Sequence, residues 1–390
     1  MLRELPTELV PLTDEQVAIV DMVRSFADRE IRPIARAVDE ADIEVPWDIW
    51  NRAAEVGITS FMMPEEYGGG GFIDAFTQCL VQEELCAGDS GLGNFIAGGG
   101  FFAHPLVELG TDDQKERWLR PLSGPKPPLT ALCITEPDVG SDAAAMTTRA
   151  EKVPGGYRIY GQKTWISNGG AAEFYGIFAK TDPSQRAHGI TAFLVRKGAE
   201  GLTFGAPMKK MGQRAMVNCE VFMDGVFVPD EDRLGDEGKG FYGLMHTFDS
   251  SRAILGAAAT GTARAATELA LDYARERRQF GKRIIEHQAV GFRLADMVTR
   301  VEEARLLTWR AAKLLDAGSP KAPVACAQAK LVASETAMFC TWGAVQTLGG
   351  WGYSREFLAE KWMRDAKLEE IEEGTSDIQR LVISRVLART

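Results

Sequence analysis

The residues best placed to do chemistry lie near the end of the chain, in an acidic segment at positions 369–376. Apolar residues at helical spacing precede this segment, and Gly374 is predicted to break the helix that they form. Ser376 to Gln379 has the pattern of a capping box at the start of a final helix. Glu373 would then lie on a short turn between two packed helices, which is a rigid way to hold a general base. Alternatively, Glu372 and Glu373 only complement the dipole of the following helix, and this segment alone favours that alternative.

Two polar segments follow predicted strands in the middle of the chain. The segment from Thr135 to Ser141 combines hydroxyl groups, backbone N–H groups and Gly140, which suits a polar planar ligand or a phosphate. A hydrogen-bonded turn explains the same residues equally well. Trp165 and Ser167 place an aromatic ring beside a hydroxyl, a pair that can cover and hydrogen-bond an aromatic heterocycle. The alternative is a buried tryptophan beside a type I′ turn.

Two segments in the last third could hold a charged ligand. Arg277 and Gln279 belong to a basic, aromatic and glycine-containing cluster that could bind a pyrophosphate, although a solvated charge run is the usual explanation. Gly349, Gly350 and Gly352 expose backbone that a ligand could approach closely. A helix C-cap explains one of these glycines but hardly all three.

The elements that must position these residues change character twice along the chain. Residues 1–125 predict an N-terminal α-helical domain, which a proline-rich connector ends. Residues 126–238 predict a middle antiparallel β-domain of short strands, with turns at Pro154–Gly156 and Asp224–Gly225. Residues 239–390 return to longer helices and predict a C-terminal four-helix bundle. The fold class is therefore α+β.

Local patterns inside the first domain are less uniform. Thr13 to Gln16 is a capping box that begins a helix, and helical patterns also cover residues 49–56, 76–87 and 113–118. The glycines at 98–100 are read as a break. The segment Gly91 to Ile96 begins like a dinucleotide-binding glycine motif, but Ile96 occupies the place of the third glycine and no strand precedes it.

Composition excludes several function classes. The 390 residues carry a net charge of −11, so a nucleic acid is an unexpected partner, since backbone binding needs a basic face. The six cysteines form no C-x-x-C pair and the four histidines no ligand pair, so we expect no metal and no disulfide framework. Charges interrupt every apolar run before the roughly 18 residues of a membrane span. The N-terminus lacks the order of a signal peptide, which favours a cytoplasmic protein or, in a eukaryote, an already processed mitochondrial matrix one.

Six segments, in this order, match one family, and the chain resembles the acyl-CoA dehydrogenases over essentially its full length. The matching segments are Ile134–Asp142, Lys163–Gly169, Arg278–Gly281, His287–Gln288, Gln346–Tyr353 and Arg364–Ser376. The α–β–α order of domains, predicted independently, is the order that this family has.

The resemblance implies that FAD binds between the β-domain and the helical bundle. The residues that would line the flavin are Leu132, Ile134, Thr135, Gly140, Ser141, Trp165, Ile166 and Ser167. Residues implied for the remaining cofactor contacts, largely with the FAD of a neighbouring subunit, are Arg277, Gln279, Phe280, Gln288, Gln346, Leu348, Gly349 and Gly350. Thr375 and Asp377 would place a helix N-terminus near FAD phosphates. A cofactor built across an interface implies an obligate oligomer, and the family is typically a homotetramer.

The reaction implied is α,β-dehydrogenation of an acyl-CoA to the trans-2-enoyl-CoA. Glu373 would remove the α-proton while the β-hydrogen leaves as hydride to flavin N5, and burial should raise the pKa of Glu373. One branch of the family carries its base just before the arginine that matches Arg252. Here that position is Ser251, so Glu373 is the base that the resemblance implies.

Substrate contacts are also implied by the resemblance. The matching positions are Ser141, Asp249 and Arg252, the last two in a segment taken as a loop, together with Gly374, Gly93 and Ala97. Gly93 and Ala97 would leave room in an acyl cavity, whereas Phe95 could narrow it. No Arg or Lys lies between Glu84 and His104, so we expect a neutral acyl chain, short to medium, straight or branched.

Three other functions remain open on this fold. The first is an acyl-CoA oxidase, which would use O₂ as its electron acceptor. The chain is shorter than typical acyl-CoA oxidases, which favours a dehydrogenase that passes its electrons to an electron-transferring flavoprotein. A non-catalytic CoA- or lipid-binding protein would keep the fold without the flavin. A nitroalkane oxidase-like enzyme is expected to have Asp in place of Glu373.

Overall fold

A computed structural model describes residues 2–388, and it places a mostly antiparallel sheet between two helical regions. The predicted α+β class with its α–β–α order is therefore confirmed. The outer limits predicted for the first and last domains, residues 1 and 390, lie outside the described residues.

The N-terminal region is helical from its first capping box onward. Thr13 accepts a hydrogen bond from the backbone of Gln16, whose side chain returns one to the Thr13 N–H, so the predicted capping box is confirmed. The helices are α1 (Asp14–Phe26), α2 (Ala35–Ala41), α3 (Trp47–Glu55), α4 (Ala75–Gly88), α5 (Ser90–Ala97), α6 (Gly99–Leu109) and α7 (Asp112–Trp118). A π-turn and a 3₁₀ turn containing Pro33 join α1 to α2, because proline cannot continue the α-helical hydrogen-bond ladder.

Local sequence patterns did not predict α5 and α6, because the glycines at 98–100 were read as a break, although the family resemblance implied a helix at Gly93–Ala97. Gly98 does separate the two helices, but the next two glycines lie inside α6. Asp89 caps α5 by accepting the N–H of Leu92 at 3.0 Å, a local signal that the sequence contains.

The middle region forms one mixed sheet. Its strands are β1 (Thr130–Cys133), β2 (Arg149–Val153), β3 (Gly156–Ser167), β4 (Phe174–Lys180), β5 (Ile190–Arg196), β6 (Leu202–Phe204), β7 (Asn218–Pro229) and β8 (Arg233–Leu234). The order along the sheet is β6-β7-β3-β2-β4-β5-β8, with β1 paired to β4. Most pairs are antiparallel, but β1 runs parallel to β4, and so does the one pairing of β2 with β4.

One predicted turn in the sheet is wrong. Gly155, with φ +80°, connects β2 to β3 as expected, but Asp224 and Gly225 lie within the continuous strand β7. The register passes from Ile159 opposite Val226 to Tyr160 opposite Asp224, so Gly225 is the extra residue of a β-bulge.

The C-terminal region packs long helices around alanine-rich faces. It contains α8 (Gly240–Glu276), the hairpin β9 (Arg278–Gln279) and β10 (Lys282–Arg283), α9 (Gln288–Asp316), α10 (Ala322–Leu348), α11 (Gly350–Tyr353), α12 (Ala359–Glu369) and α13 (Ser376–Leu387). Small residues let α8 and α10 approach closely; a Cβ added at Gly256 would lie 3.5 Å from the backbone of Ala329.

Buried ion pairs join the two helical regions. Arg264 of α8 binds Glu84 of α4 at 2.6 Å, and both side chains are about 2% exposed. Arg364 of α12 binds Asp39 of α2 at 2.6 Å. These pairs fix α8 and α12, the two helices that carry the candidate site.

Candidate active site

The acidic turn between α12 and α13 has an unusual backbone. Helix α12 ends at Glu369, earlier than the predicted break at Gly374. Glu373 has φ +49° and Gly374 has φ +96°. Positive φ is uncommon for a residue with a side chain and persists only where surrounding contacts impose it.

The cap of α13 lies one residue earlier than predicted. Thr375 is the N-cap, and its hydroxyl accepts the backbone N–H of Ile378 at 3.3 Å. Ser376 is the first helical residue, so the capping box predicted to begin there is wrong. Thr375, next to Gly374, therefore ends the turn and determines where α13 begins.

Two buried side chains hold the turn in place. The Lys330 ammonium of α10 donates to the carbonyl of Gly374 at 2.9 Å. Gln379 donates to the same carbonyl at 2.7 Å, and both side chains are no more than 1% exposed. A carbonyl with two buried donors is restrained, so the backbone of the turn that carries Glu373 is held in place.

The carboxylate of Glu373 faces the start of α8. Its Oε2 accepts a hydrogen bond from the hydroxyl of Ser251, which is 1% exposed. Burial raises the pKa of Glu373 to about 7, against the opposing effects of the Ser251 hydrogen bond and the charges of Arg252 and Lys330. A carboxyl group with that pKa suits proton abstraction near neutral pH.

The neighbouring glutamates are not solvated helix decoration. Glu369 is 1% exposed and accepts from Ser90 at 2.9 Å and from Thr262 at 3.1 Å. Burial and the charge of Glu372 raise the pKa of Glu369 to about 8, and burial and Glu373 raise the pKa of Glu372 to about 7. Tertiary packing buries Glu369 and partly buries Glu372, which the acidic composition of the segment did not indicate. The Glu370 side chain, by contrast, forms an ion pair at 2.6 Å with Lys367, three residues earlier in the chain.

A buried ion pair fixes the polar segment that follows β1. Lys163 is fully buried and donates to Glu136 at 3.0 Å and to the Ile134 carbonyl at 2.9 Å. Glu136 also accepts backbone N–H groups from Thr147 at 2.6 Å and Thr148 at 2.9 Å, and its pKa is lowered to about 2, where these donors and the Lys163 charge outweigh burial. Because Lys163 lies on β3, the pair joins Ile134 to the strand that carries Trp165.

Trp165 sits on an exposed bulge of β3. Its φ is +60°, and Thr164 and Trp165 together face the single residue Glu220 of β7. The Trp165 side chain is 58% exposed, so the alternative of a buried tryptophan is wrong. The Ser167 hydroxyl accepts from Asn218 at 3.2 Å. Ile166 is buried, so its side chain packs in the core and only its backbone is available to a ligand.

A groove lies between the β9–β10 hairpin and the end of α10. Its volume is about 670 Å³, and five predicted cofactor residues line it: Arg277, Gln279, Leu348, Gly349 and Gly350. Nothing lies within 4 Å of a Cβ added at Gly349 or Gly350, so their backbone is open to a ligand. Two further predicted cofactor residues are exposed, Gln346 on α10 and Gln288 on α9.

The hairpin tip projects an aromatic ring away from the chain. Phe280 and Gly281 both have positive φ, +52° and +79°, as a two-residue type I′ turn requires. Phe280 is 93% exposed. The Phe280 ring lies edge-on to His287, with ring centroids 5.9 Å apart.

Residues expected around the acyl chain are distributed differently from the prediction. A Cβ at Gly93 would lie 2.7 Å from the backbone of Leu85 and Cys86, so this glycine serves close packing of α5 on α4, against the expectation that it widens a cavity. Phe95 is buried and packs on Trp50, with ring centroids 5.5 Å apart. Ala97 is buried in the same core.

The segment from Asp249 to Arg252 is helix, not the loop that was expected. It lies inside α8, where Arg252 pairs with Asp249 at 2.9 Å and is 7% exposed. Ser251 is the site residue whose role the sequence did not indicate: it was considered only as a missing base, and it is a hydrogen-bond donor to the carboxylate.

The two sets of predicted cofactor residues fit two parts of one large dinucleotide. The groove offers a guanidinium, an amide and open glycine backbone, which suit a pyrophosphate or a nucleotide. Trp165, Ser167, Gly140 and the exposed Ser141 offer an aromatic face and hydroxyls, which suit a planar ring system. None of the groove-lining residues belongs to the β-domain.

Comparison with known proteins gives the family. The acyl-CoA dehydrogenase N-terminal, middle and C-terminal domain models match residues 13–124, 131–226 and 238–388. The chain belongs to the acyl-CoA dehydrogenase family. It is an FAD-dependent oxidoreductase that acts on acyl-CoA.

Individual relatives match over nearly the whole chain. A cyclohex-1-ene-1-carbonyl-CoA dehydrogenase of Geobacter metallireducens is 42% identical over 96% of this chain and 98% of its own. The butyryl-CoA dehydrogenase structure from Megasphaera elsdenii is 38% identical, with a TM-score of 0.92 over 97% of this chain and 99% of that one. A chain in a structure described as the electron transferring flavoprotein of Acidaminococcus fermentans is 39% identical, with a TM-score of 0.93 over 98% of this chain and 100% of that one.

The described residues contain neither a candidate membrane-spanning helix nor a candidate metal-binding cluster. Within residues 2–388 no helix is long and apolar enough to cross a membrane. No group of three or more potential metal-ligating side chains occurs among the residues that the structure describes.

Proposed function

We propose that the chain dehydrogenates a neutral, short- to medium-chain acyl-CoA at its α and β carbons, with Glu373 as the base. The observation that carries this proposal is the Glu373 carboxylate, held on a fixed positive-φ turn with its pKa raised to about 7. A weakly acidic α-proton requires a base that is both desolvated and fixed in position.

The chain also offers a donor for the substrate carbonyl. Among the hydrogen bonds of the described residues, none uses the backbone N–H of Glu373 as donor. That N–H is therefore free to polarise a thioester carbonyl, which makes the α-proton more acidic. Arg252, whose charge acts on Glu373, would contact the CoA moiety.

FAD, when bound, supplies the acceptor for the hydride that leaves the β-carbon. Residues from Leu132 to Ser141 and from Trp165 to Ser167 would hold its ring system, with Ser167 beside the reactive nitrogen. Arg277, Gln279 and the residues from Gln346 to Gly350 would hold the dinucleotide part. Thr375 and Asp377 would direct the N-terminus of α13 toward phosphate oxygens, since that end of a helix favours anions.

The neutral acyl chain is supported by charge and by the relatives. Between Glu84 and His104 the chain has no Arg or Lys that could pair with a second carboxylate of the substrate. Cyclohexenecarbonyl and butyryl groups, which appear in the names of two relatives, are both neutral.

We further propose a homotetramer and an electron-transferring flavoprotein as electron acceptor. The groove and the β-domain face share no residue, and the hairpin tip with Phe280 is 93% exposed, which suits a cofactor completed by a second copy. The likeness to a chain in the electron transferring flavoprotein structure supports the acceptor.

Anaerobic flavin bleaching with a panel of acyl-CoAs tests this function. Acyl groups of increasing length, with branched, cyclic and dicarboxylic members, are mixed with the purified holoenzyme, and flavin absorbance is followed by stopped flow. We expect fast bleaching by neutral short to medium chains and slow bleaching by glutaryl-CoA. Fastest bleaching by a dicarboxylic or long-chain substrate would overturn the proposed specificity, and rapid reoxidation by O₂ with product bound would indicate an oxidase.

A further inference from the structure

The base has a buried cation behind it that the reaction described so far does not use. Lys330 lies on α10, its side chain is 1% exposed, and its ammonium donates to the Gly374 carbonyl at 2.9 Å. The other lysines that the structure buries this deeply contact carboxylates directly: Lys163 contacts Glu136 at 3.0 Å and Lys361 contacts Asp365 at 2.7 Å. No ion pair among the described residues includes Lys330. A buried charge without a direct counter-ion is costly, so its retention needs a reason.

Carboxylates surround this ammonium without contacting it. Glu372, Glu373 and Glu369, all from the segment that forms the turn, act on Lys330 through their charge. The charge of Arg252 on α8 opposes them by lowering the pKa of Lys330, and Lys210, in the loop before β7, acts on Glu372.

The acid side of this cluster has unpartnered atoms. Oε2 of Glu369 and Oε1 of Glu372 are buried and have no hydrogen-bond partner among the described residues. Lys361 already neutralises Asp365, the next carboxylate along α12. The charge of Lys330 therefore acts on three glutamates, two of which, Glu369 and Glu372, each keep one oxygen without a hydrogen-bond partner among the described residues.

We propose that Lys330 is a positioning residue for Glu373: its ammonium fixes the strained turn through the Gly374 carbonyl and supplies the positive charge that favours the ionised base. The inference rests on the proposed function, since it assigns a role toward the base named there.

The two parts of this role have different physical signatures. The hydrogen bond to Gly374 holds a backbone with φ +96°, together with Gln379 from α13. The charge acts on the carboxylates through a medium of low polarity, where it stabilises the ionised form of Glu373. Removing the charge should raise the pKa of Glu373, because the ionised carboxylate loses a favourable neighbour.

Substitutions at Lys330 separate the two effects. Lys330→Gln keeps a hydrogen-bond donor and removes the charge, Lys330→Arg keeps the charge, and Lys330→Met removes both with similar volume. Lys367→Gln is the matched control, because Lys367 on α12 is 47% exposed and pairs with Glu370 at the end of that helix. Each holoenzyme is titrated without substrate by infrared spectroscopy of its carboxyl groups, with the Glu373→Gln spectrum subtracted. The pH profile of anaerobic flavin bleaching is measured in parallel.

We expect the Glu373 titration and the acid limb of the profile to move upward by about one pH unit in the Gln and Met variants. Bleaching at pH 6 would then slow about tenfold, while the Arg variant and the Lys367 control stay near wild type. A wild-type titration in Lys330→Gln would overturn the charge role. Should the Met variant not fold, the Gln and Arg variants still decide.

Failure of this inference and failure of the proposed function give different results. If Glu373→Gln bleaches normally, the base assignment fails, whereas the infrared titration still reports whether Lys330 acts on Glu373. If Glu373→Gln is inactive and the Lys330 variants titrate as wild type, only the inference about Lys330 fails.

Discussion

At the scale of single residues, the site depends on how one carboxylate is balanced between burial and its donors. Burial raises the pKa of Glu373, while the Ser251 hydroxyl, Arg252 and Lys330 oppose the rise. Burial alone would leave a base protonated at neutral pH, and strong donors alone would leave a base too weak to take an α-proton. Its pKa of about 7 lies between these two limits.

Replacing Glu373 by Gln should abolish flavin reduction while leaving acyl-CoA binding intact. The amide keeps the shape of the side chain but cannot accept the α-proton, so we expect the bleaching rate to fall by several orders of magnitude. Stopped-flow bleaching and an equilibrium titration of ligand binding measure the two effects. Glu370→Gln is the control, because Glu370 pairs with Lys367 at 2.6 Å, and it should bleach at close to the wild-type rate.

Replacing Ser251 by Ala should shift the pH dependence of bleaching. The rate rises with pH as Glu373 ionises near pH 7. The hydroxyl stabilises the ionised form, so its loss raises the pKa, and the acid limb should move upward by about one unit. The rate above pH 9 should change little. A downward shift, or none, would show that the hydrogen bond does not favour the ionised base.

At the scale of elements, two buried polar contacts hold segments that the backbone alone would not hold. Lys163 and Glu136 bind the segment after β1 to β3, next to the bulge at Trp165. Lys330 and Gln379 hold the turn between α12 and α13. Lys163 lies next to the point where the pairing of β3 is interrupted. Lys330 and Gln379 hold a turn whose φ angles lie in the left-handed region.

Lys163→Met should destabilise the β-domain strongly. It leaves the buried Glu136 carboxylate without its counter-charge, at a cost of about 3–5 kcal/mol in the free energy of unfolding. Urea denaturation followed by tryptophan fluorescence measures this cost. Lys152→Met removes an exposed lysine from the same sheet and should cost less than about 1 kcal/mol. Equal costs for the two substitutions would contradict the importance of burial.

At the scale of the whole molecule, the residues predicted to bind FAD fall into two groups on different domains. The β-domain carries the aromatic and hydroxyl face, and the groove beside the hairpin carries Arg277 and open glycine backbone. In the assembly proposed above, each copy completes the site of another, so cofactor retention and oligomeric state should be linked.

Arg277→Ala should weaken FAD retention more than it weakens folding. The guanidinium lines the groove and would bind the pyrophosphate, so its loss should raise the FAD dissociation constant by about tenfold or more. Flavin fluorescence on dilution and light scattering measure cofactor release and oligomeric state. Arg275→Ala, an exposed position on the same helix end, should behave as wild type. Unchanged retention in Arg277→Ala would exclude the groove as a cofactor site.

The sequence by itself determined what depends on neighbours along the chain. The capping box at Thr13, the order of helical and sheet regions and the hairpin turn at Gly155 follow from local spacing and backbone preference, and the structure has each of them. The family also followed from sequence, because six ordered segments leave little room for coincidence.

Only the tertiary structure decided which polar groups meet around Glu373. Ser251 and Lys330 lie 122 and 44 residues from their partners in the turn between α12 and α13, and no local pattern predicts such contacts. The same is true of Gly93, whose missing side chain serves a helix contact, and of Glu369, which is buried although its segment is acidic. Periodicity shows which residues share a face, whereas the packing of distant elements determines what that face meets and therefore its pKa and its chemistry.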